Sequence, residues 1–180
     1  DAVAPETRAE VERKVSHLIR GRWFEPPFSG LGFSRLLERA FSAMAEGPID
    51  EPLLPPGHPL DLYVTATDFH GYQELLRLHS PPVVEDTEHR MPIAFRARTP
   101  LAGGTDLANP LELVFAARAT ASFPGAFPPL RVEEIDRLSD LTERNWPERE
   151  AFLKRVMPVH VARETLDNVS LIDGSVLVNK

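Results

Sequence analysis

The sequence predicts a layered α/β domain, in which helices pack on a mainly parallel β-sheet. Residues 60–68 and 91–98 each alternate apolar and polar side chains, which is typical of a strand with one buried face. Helical periodicity occupies several segments around them. Residues 170–172 predict a short strand that is apolar at Leu171 and Ile172, as expected inside a parallel sheet. At 180 residues, the chain is long enough for one domain with its own core.

The composition excludes several classes of protein. A net charge of −7 disfavours nucleic acid as a partner and electrostatic docking on anionic lipid, but leaves apolar contact with a membrane open. Without cysteine the chain has no disulfide, no thiolate nucleophile and no zinc-thiolate site. No apolar run approaches the ~20 residues of a membrane span, and no signal peptide is visible. We expect a cytoplasmic protein that is at most peripheral at a membrane.

The first third of the chain predicts two helices and two proline-rich loops. Apolar residues recur at helical spacing through residues 6–20, with Gly21 as the stop. An aromatic loop with paired prolines follows at residues 23–28. A second helix is predicted over residues 34–47, with Ser34 as its N-cap. The five prolines of residues 48–59 indicate an extended surface connector.

Strands and loops occupy the middle of the chain. The alternation at residues 60–68 predicts the clearest strand, and residues 91–98 predict a second. The stretch between them, residues 69–88, predicts irregular structure. Residues 99–107 predict an exposed loop.

The second half predicts three helices and a final strand. Asn109 and Pro110 are a strong helix start, followed by an alanine-rich helix to Ser122. A charged helix is predicted over residues 133–140 and another from Asn145 to Met157. Residues 169–172 then lead as a strand into Asp173.

Asp173 is followed at once by Gly174, and the apolar residues 176–178 predict a second buried strand beyond them. Glycine tolerates φ > 0 and leaves no Cβ to block a close neighbour. Asp-Gly is a common turn dipeptide, so the pair alone favours a structural turn. A carboxylate held there could also act as a general base.

Two segments of the second half resemble the patatin-like phospholipase family. Residues 117–129, ARATASFPGAFPP, are similar to the family's Ala-Arg-Ala helix and Phe-Pro-Pro turn. Residues 172–179, IDGSVLVN, resemble its Asp-Gly segment, with Ser175 in place of the usual glycine or alanine. The strand at residues 62–68 looks like the family's Thr-Asp strand, and residues 23–28 resemble a bacterial subgroup.

The resemblance implies a partial three-layer α/β/α patatin-like domain spanning residues 1–180. It also implies a lipid acyl hydrolase, a phospholipase or esterase, that uses a Ser-Asp dyad without metal or cofactor. Asp173 matches the dyad aspartate, which accepts the proton of the attacking serine, and Gly174 and Ser175 form its supporting turn. The candidate substrate-binding residues are Arg118, Phe123 and Phe127.

The family's nucleophile has no counterpart in this sequence, which contains no Gly-x-Ser-x-Gly. Residues 32–34 match only its first half, and Ser34 fits better as a helix cap. The glycine pair at residues 103–104 stands downstream of the place of the family's oxyanion loop, and predicts an exposed loop instead. Because the chain starts at Asp1 without methionine and stops at Lys180, we expect an excised part of a longer protein, inactive by itself.

Histidines offer weaker alternatives. Asp68 and His70 could ligate a metal, but no third ligand stands at regular spacing, so a strand-end turn is favoured. His89 or His160 could complete a triad with Ser122. Isolated histidines are more often solvent-facing or satisfied within the core.

Arginine and aromatic residues also have two interpretations each. Arg118 could neutralise a substrate phosphate, although an internal ion pair with Asp or Glu is favoured. An aromatic group could line an acyl-chain pocket or touch lipid, although a hydrophobic core cluster is favoured. The aromatic group consists of Trp23, Phe24, Phe28 and Phe33.

The expected partners are a lipid or other acyl-ester substrate and, transiently, a membrane surface. Exposed strand edges of a partial sheet would also promote homo-oligomers. The alternative function is a catalytically silent patatin-like module for lipid binding or protein interaction. An unrelated α/β interaction domain is a third hypothesis, which a deeply buried Asp173 far from any cleft would favour.

Overall fold

The computed structural model describes residues 28–46, 55, 57–98 and 107–178, which form a mixed α/β structure. This confirms the predicted α/β class. The helices are α1 Gly30–Glu46, α2 Pro110–Thr120, α3 Val132–Thr142, α4 Arg149–Val156, α5 Pro158–Ala162, a 3-10 turn Leu166–Asn168 and α6 Ser175–Val178. The strands are β1 Pro59–Arg77, β2 Val83–Arg98 and β3 Leu171–Asp173.

The three strands form one antiparallel sheet in the order β2-β1-β3. β1 and β2 are joined by a short turn, and strands connected in this way pair antiparallel. β3 also runs against β1, since Ala66 pairs with Asp173 and Asp68 with Leu171. The mainly parallel sheet that the sequence predicted is therefore not seen among the described strands.

The prediction of irregular structure over residues 69–88 is wrong, because most of these residues extend β1 and β2 into a long hairpin. Its register shifts once, where residues 68–71 of β1 lie opposite His89 of β2. This β-bulge contains Gly71 at φ 70°, where a Cβ would lie 2.7 Å from His89 Cε1. We call residues 59–67 and 90–98 the inner hairpin, and residues 72–88 the outer ribbon.

The helix boundaries show one clear correction. α1 begins at Gly30, so Ser34 lies inside the helix and is buried. Its hydroxyl donates to Glu134 Oε1 at 2.5 Å, and the N-cap role predicted for Ser34 is wrong. By contrast, the predicted start of α2 is confirmed, since Asn109 Oδ1 accepts from the N–H of Leu111 at 2.9 Å.

The later helices follow the predictions less closely. The charged helix predicted at residues 133–140 is confirmed as α3. The helix predicted from Asn145 begins only at Arg149 and ends at Val156, and Pro158 then opens the separate helix α5. Proline suits the first position of a helix because its missing N–H has no partner there.

The hydrophobic core lies between the inner hairpin and the helices packed on it. The ring of Phe152 on α4 meets the edge of Phe115 on α2, with centroids 5.3 Å apart. Phe95 of β2 stacks on the same Phe152 ring at 6.3 Å. The fully buried apolar residues of this core include Ile93, Leu111, Val114, Leu130, Ile135 and Leu138.

Several predictions fall outside the described residues. They concern the helix at residues 6–20, the aromatic residues Trp23 and Phe24, and the glycine pair at residues 103–104. Most of the proline-rich connector at residues 48–59 lies outside them as well.

Candidate functional site

Asp173 is the last residue of β3 and is half-buried. Its N–H donates to the carbonyl oxygen of Ser122 at 3.1 Å, which ties it to the loop after α2. Its Oδ1 accepts from the N–H of Ser175 at 2.9 Å, closing an Asx-turn. Within the described residues no side chain donates to the other carboxylate oxygen. One oxygen therefore holds the turn and the other is available to a further group.

Gly174 permits the close approach of this turn to β1. A Cβ at this position would collide with the carbonyl oxygen of Thr65 and lie 2.6 Å from Thr65 Oγ1. The chain then continues as helix α6, so the second strand predicted at residues 176–178 is wrong. The turn predicted at Asp173 and Gly174 is confirmed, but it joins a strand to a helix.

Arg118 on α2 is fully buried and holds the loop that supports Asp173. Its Nε donates to Glu134 Oε1 at 3.0 Å, its Nη1 to Ser122 Oγ at 2.5 Å and its Nη2 to the Pro128 carbonyl at 2.8 Å. Burial lowers the pKa of Arg118 from its usual value, and the Glu134 carboxylate opposes that change. The internal ion pair is confirmed, whereas a contact between Arg118 and a substrate stays a prediction.

The two phenylalanines of the loop after α2 differ in their surroundings. Phe123 is exposed, whereas Phe127 is half-buried and stacks on Phe33 of α1 with centroids 4.7 Å apart. Phe28 lies 5.1 Å from the same Phe127 ring, and the Arg118 guanidinium carbon lies 5.7 Å from its centre. Phe127 thus joins an aromatic cluster that fixes the loop, while Phe123 offers an open apolar surface.

A second polar cluster lies at the bulge and was not predicted. His160 on α5 places Nε2 3.0 Å from Asp68 Oδ2 and Nδ1 3.0 Å from Thr165 Oγ1. The imidazole thus joins the Asp68 carboxylate to the Thr165 hydroxyl through its two ring nitrogens. Asp68 is completely buried and His160 nearly so. The three side chains form an Asp-His-Thr relay between β1 and the segment after α5.

The order of the hydrogen bonds in this relay is that of a catalytic triad, but the N–H of Thr165 is not free to act as an oxyanion donor. The N–H of Thr165 donates to the carbonyl of His160 at 2.9 Å, so it is not free to hold an oxyanion. We therefore assign the relay a structural role, in which it holds α5 against the bulge of β1.

The other histidine hypotheses can be placed as well. His89 Nδ1 lies 2.8 Å from the Asp68 carbonyl oxygen, with which it forms a hydrogen bond. The Ser122 hydroxyl donates to the carbonyl of Arg118 at 2.7 Å. The predicted triad of Ser122 with His89 or His160 is therefore not formed. Asp68 Oδ1 accepts from the N–H of His70 at 3.2 Å, but this contact lies within the bulge and β1 continues to Arg77, so the strand end predicted here is wrong. The described part of the chain contains no group of three or more acidic or histidine residues placed to hold a metal ion.

A cleft of about 570 Å³ opens on another part of the molecule. It is lined by the start of α2, by β2 and by α4, and Asp173 is not among its lining residues. Glu112 lies in its wall, 3.6 Å from Arg155. Burial raises the pKa of Glu112, and the charge of Arg155 opposes that rise. The cleft and the Asp173 turn are separate features of the surface.

No family model, curated protein or solved structure matches the chain. Across the ranges that the structure describes, no helix combines the length and apolar character needed to cross a membrane. The family resemblance therefore rests on the residues of the sequence alone.

Proposed function

We propose that this chain supplies the aspartate of a Ser-Asp dyad in a patatin-like lipid acyl hydrolase, a phospholipase or esterase. One observation carries the proposal. The two segments that resemble the family, residues 117–129 and 172–179, meet at the hydrogen bond from Asp173 N–H to the Ser122 carbonyl. The first segment thereby holds the backbone of the residue that matches the catalytic aspartate in the second.

The surroundings of Asp173 suit a positioned base. Its backbone is held by Ser122 on one side and by the close contact of Gly174 with Thr65 on the other. One carboxylate oxygen is oriented by Ser175, and the half-buried position leaves the other open. A general base needs fixed geometry within hydrogen-bond reach of the proton that it accepts. An Asp173 that is deeply buried and far from any cleft would favour an unrelated domain; the residue is half-buried, and it does not line the cleft beside Glu112.

In the proposed reaction, the Asp173 carboxylate accepts the proton of a serine hydroxyl as the serine oxygen attacks the ester carbonyl. An aspartate of ordinary pKa, about 4, is a weak base toward a hydroxyl, so it must lie close to the serine and partly out of water. Backbone N–H groups would stabilise the tetrahedral intermediate. Because the sequence has no Gly-x-Ser-x-Gly, the proposal assigns the serine and these donors to polypeptide preceding Asp1.

The test compares the 180-residue chain with a polypeptide extended towards its N-terminus to include a Gly-x-Ser-x-Gly segment. We expect the extended form to hydrolyse p-nitrophenyl butyrate and the 180-residue chain not to. In the extended form, Asp173→Asn should lower kcat by about 10²–10⁴-fold, the usual contribution of a general base. The matched control is Asp167→Asn at an exposed position of the 3-10 turn, which should keep full activity.

Two outcomes would count against the proposal. Hydrolysis by the 180-residue chain that Asp173→Asn abolishes would place the nucleophile within these residues. An extended polypeptide that has no Gly-x-Ser-x-Gly, or that has one and stays inactive, would favour the silent lipid-binding or protein-interaction module instead.

A further inference from the structure

The outer ribbon ends in an apolar tip that no other described part of the protein covers. Residues 73–83 are all exposed, and so are residues 85–87. The most exposed apolar side chains of the tip are Leu75, Leu78 and Val83, at 64%, 51% and 50% of their full surface. Large exposed apolar groups gathered in one place usually mark an interaction site.

The tip is apolar on both faces of the ribbon. Successive residues of a strand point to opposite faces, so Leu75 and Leu76 lie on different sides. Leu76 pairs with Val84, and Arg77 pairs with Val83 at the end of the ladder. A folded protein that docks on a ribbon covers one face, whereas a lipid layer surrounds whatever enters it. Apolar groups on both faces therefore favour lipid over a protein partner.

The backbone of the turn is suited to a medium poor in water. Pro81 and Pro82 have no N–H to leave without a partner, and the N–H of Leu78 donates to the Pro82 carbonyl at 3.2 Å. Unpaired backbone groups are what make irregular turns costly in lipid. Two residues of this turn have no N–H, and the N–H of a third is paired.

The charges near the tip indicate which kind of lipid surface fits. Glu85 pairs with Leu75 at the inner edge of the tip, and Glu74 and Asp86 pair with each other directly behind it, where the headgroups would be. The whole chain carries a net charge of −7. An anionic surface would repel this acidic belt. The donors of the tip, Arg77 and His79, can bond to the phosphate of a zwitterionic headgroup.

We propose that the tip of the outer ribbon, residues 75–84, inserts into the interfacial layer of a zwitterionic phospholipid surface. The inference does not depend on the hydrolase activity proposed above, because it concerns binding alone and would hold equally for a catalytically silent module. Its test can therefore succeed or fail independently of the dyad.

The absence of cysteine makes a site-specific test simple. Ser80→Cys places a single environment-sensitive NBD label on the turn of the full 180-residue chain, and Lys154→Cys places one at an exposed position of α4. With phosphatidylcholine vesicles, the label at position 80 should shift to the blue and brighten, whereas the label at position 154 should not change.

Variants of the labelled chain connect the signal to the apolar side chains. The double change Leu78→Asp and Val83→Asp should weaken vesicle binding at least about tenfold, since each removes apolar surface from the lipid and adds a charge. Leu75→Glu should act in the same direction. Leu141→Asp, at an equally exposed leucine on α3, is the matched control and should leave binding unchanged.

Three results would overturn the inference. The first is an absence of any label response to phosphatidylcholine. The second is tighter binding to vesicles containing phosphatidylglycerol, which would indicate electrostatic docking. The third is a label response that grows with protein concentration when no vesicles are present, which would show that the tip contacts a second copy of the chain.

Discussion

The inner hairpin and the outer ribbon belong to the same two strands but have opposite surroundings. In the inner hairpin, Ala66, Met91, Ile93 and Phe95 are buried under the helices. In the outer ribbon the residues are exposed or at most half-buried. β3 pairs with β1 at the inner hairpin, and its last residue, Asp173, lies opposite Ala66. The comparison indicates that the inner region and the helices packed on it supply the stability that positions Asp173, while the ribbon is free to vary its surface.

The largest effect is expected at Arg118. Arg118→Met should lower the free energy of unfolding by about 3–5 kcal/mol, because it leaves the Glu134 carboxylate without its buried partner and frees Ser122 and Pro128. Urea denaturation measures the change. Arg137→Met removes an exposed ion pair with Glu133 on α3 and should change stability by less than about 0.5 kcal/mol. Equal losses in the two variants would contradict the role assigned to the buried cluster.

A smaller loss is expected from Gly174→Ala. Its Cβ would meet the Thr65 carbonyl, so the turn must move away from β1, at a cost of about 1–3 kcal/mol. Gly32→Ala on α1 is the matched control. Its Cβ would lie 3.3 Å from the exposed Ser29 side chain, and alanine favours helix, so stability should hold or rise by up to about 1 kcal/mol. A thermal denaturation series in which both variants behave alike would refute the close contact.

The smallest effect is expected where the outer ribbon meets the inner hairpin, and it depends on pH. The Arg90 guanidinium donates to Glu88 at 2.7 Å and lowers the pKa of that carboxyl to about 2. A carboxyl whose pKa is lower in the folded state stabilises the fold above its unfolded value of 4.5, and this contribution is lost as the pH falls from about 4.5 to about 2. Because the Arg90 side chain is 73% exposed, solvent screens the pair and its contribution to stability should be small.

Arg90→Gln tests this pair directly. The pKa of Glu88 should rise towards 4.5, as followed by NMR titration of its side-chain carboxyl, while stability at neutral pH changes little. Arg163→Gln, a change at an exposed arginine on the neighbouring turn, should leave that pKa where it is. A Glu88 pKa that does not respond to Arg90→Gln would show that the backbone N–H groups of His89 and Arg90 hold it down by themselves.

The same contrast explains which elements the sequence could predict. The strand at residues 60–68 and helices α2 and α3 were predicted because the sequence of each carries a clear local signal: an alternation in the strand, a cap at the start of α2 and a helical period in α3. The outer ribbon was missed because both of its faces are exposed, so no alternation marks it, and Gly71 and the paired prolines at residues 81–82 resemble loop signals. The short apolar run after Gly174 was assigned to a strand because the periodicity of three residues cannot distinguish a strand from a helix.

The site was predictable only where its residues are neighbours in the chain. The Asp173 turn follows from adjacent residues, and the confirmed ion pair of Arg118 was favoured without its partner being identified. The relay between Asp68 and His160 joins residues 92 positions apart and leaves no local pattern. Glu134 and Thr165 were likewise missed, since tertiary packing brings them to their partners. Ser34 was wrongly predicted as a helix cap because the sequence does not show that its hydroxyl bonds to Glu134, 100 residues away.

The bulge at residues 68–71 has a consequence for how this fold can change over evolutionary time. The bulge absorbs a difference in length between the two strands. The pairs of the inner hairpin, up to Thr67 with Arg90, therefore keep their register when the outer ribbon changes. Equal insertions or deletions in β1 and β2 outside the bulge would lengthen or shorten the ribbon without rotating Ala66, and with it Asp173, onto the wrong face. The ribbon can therefore change in length without any change in the position of Asp173 relative to β1.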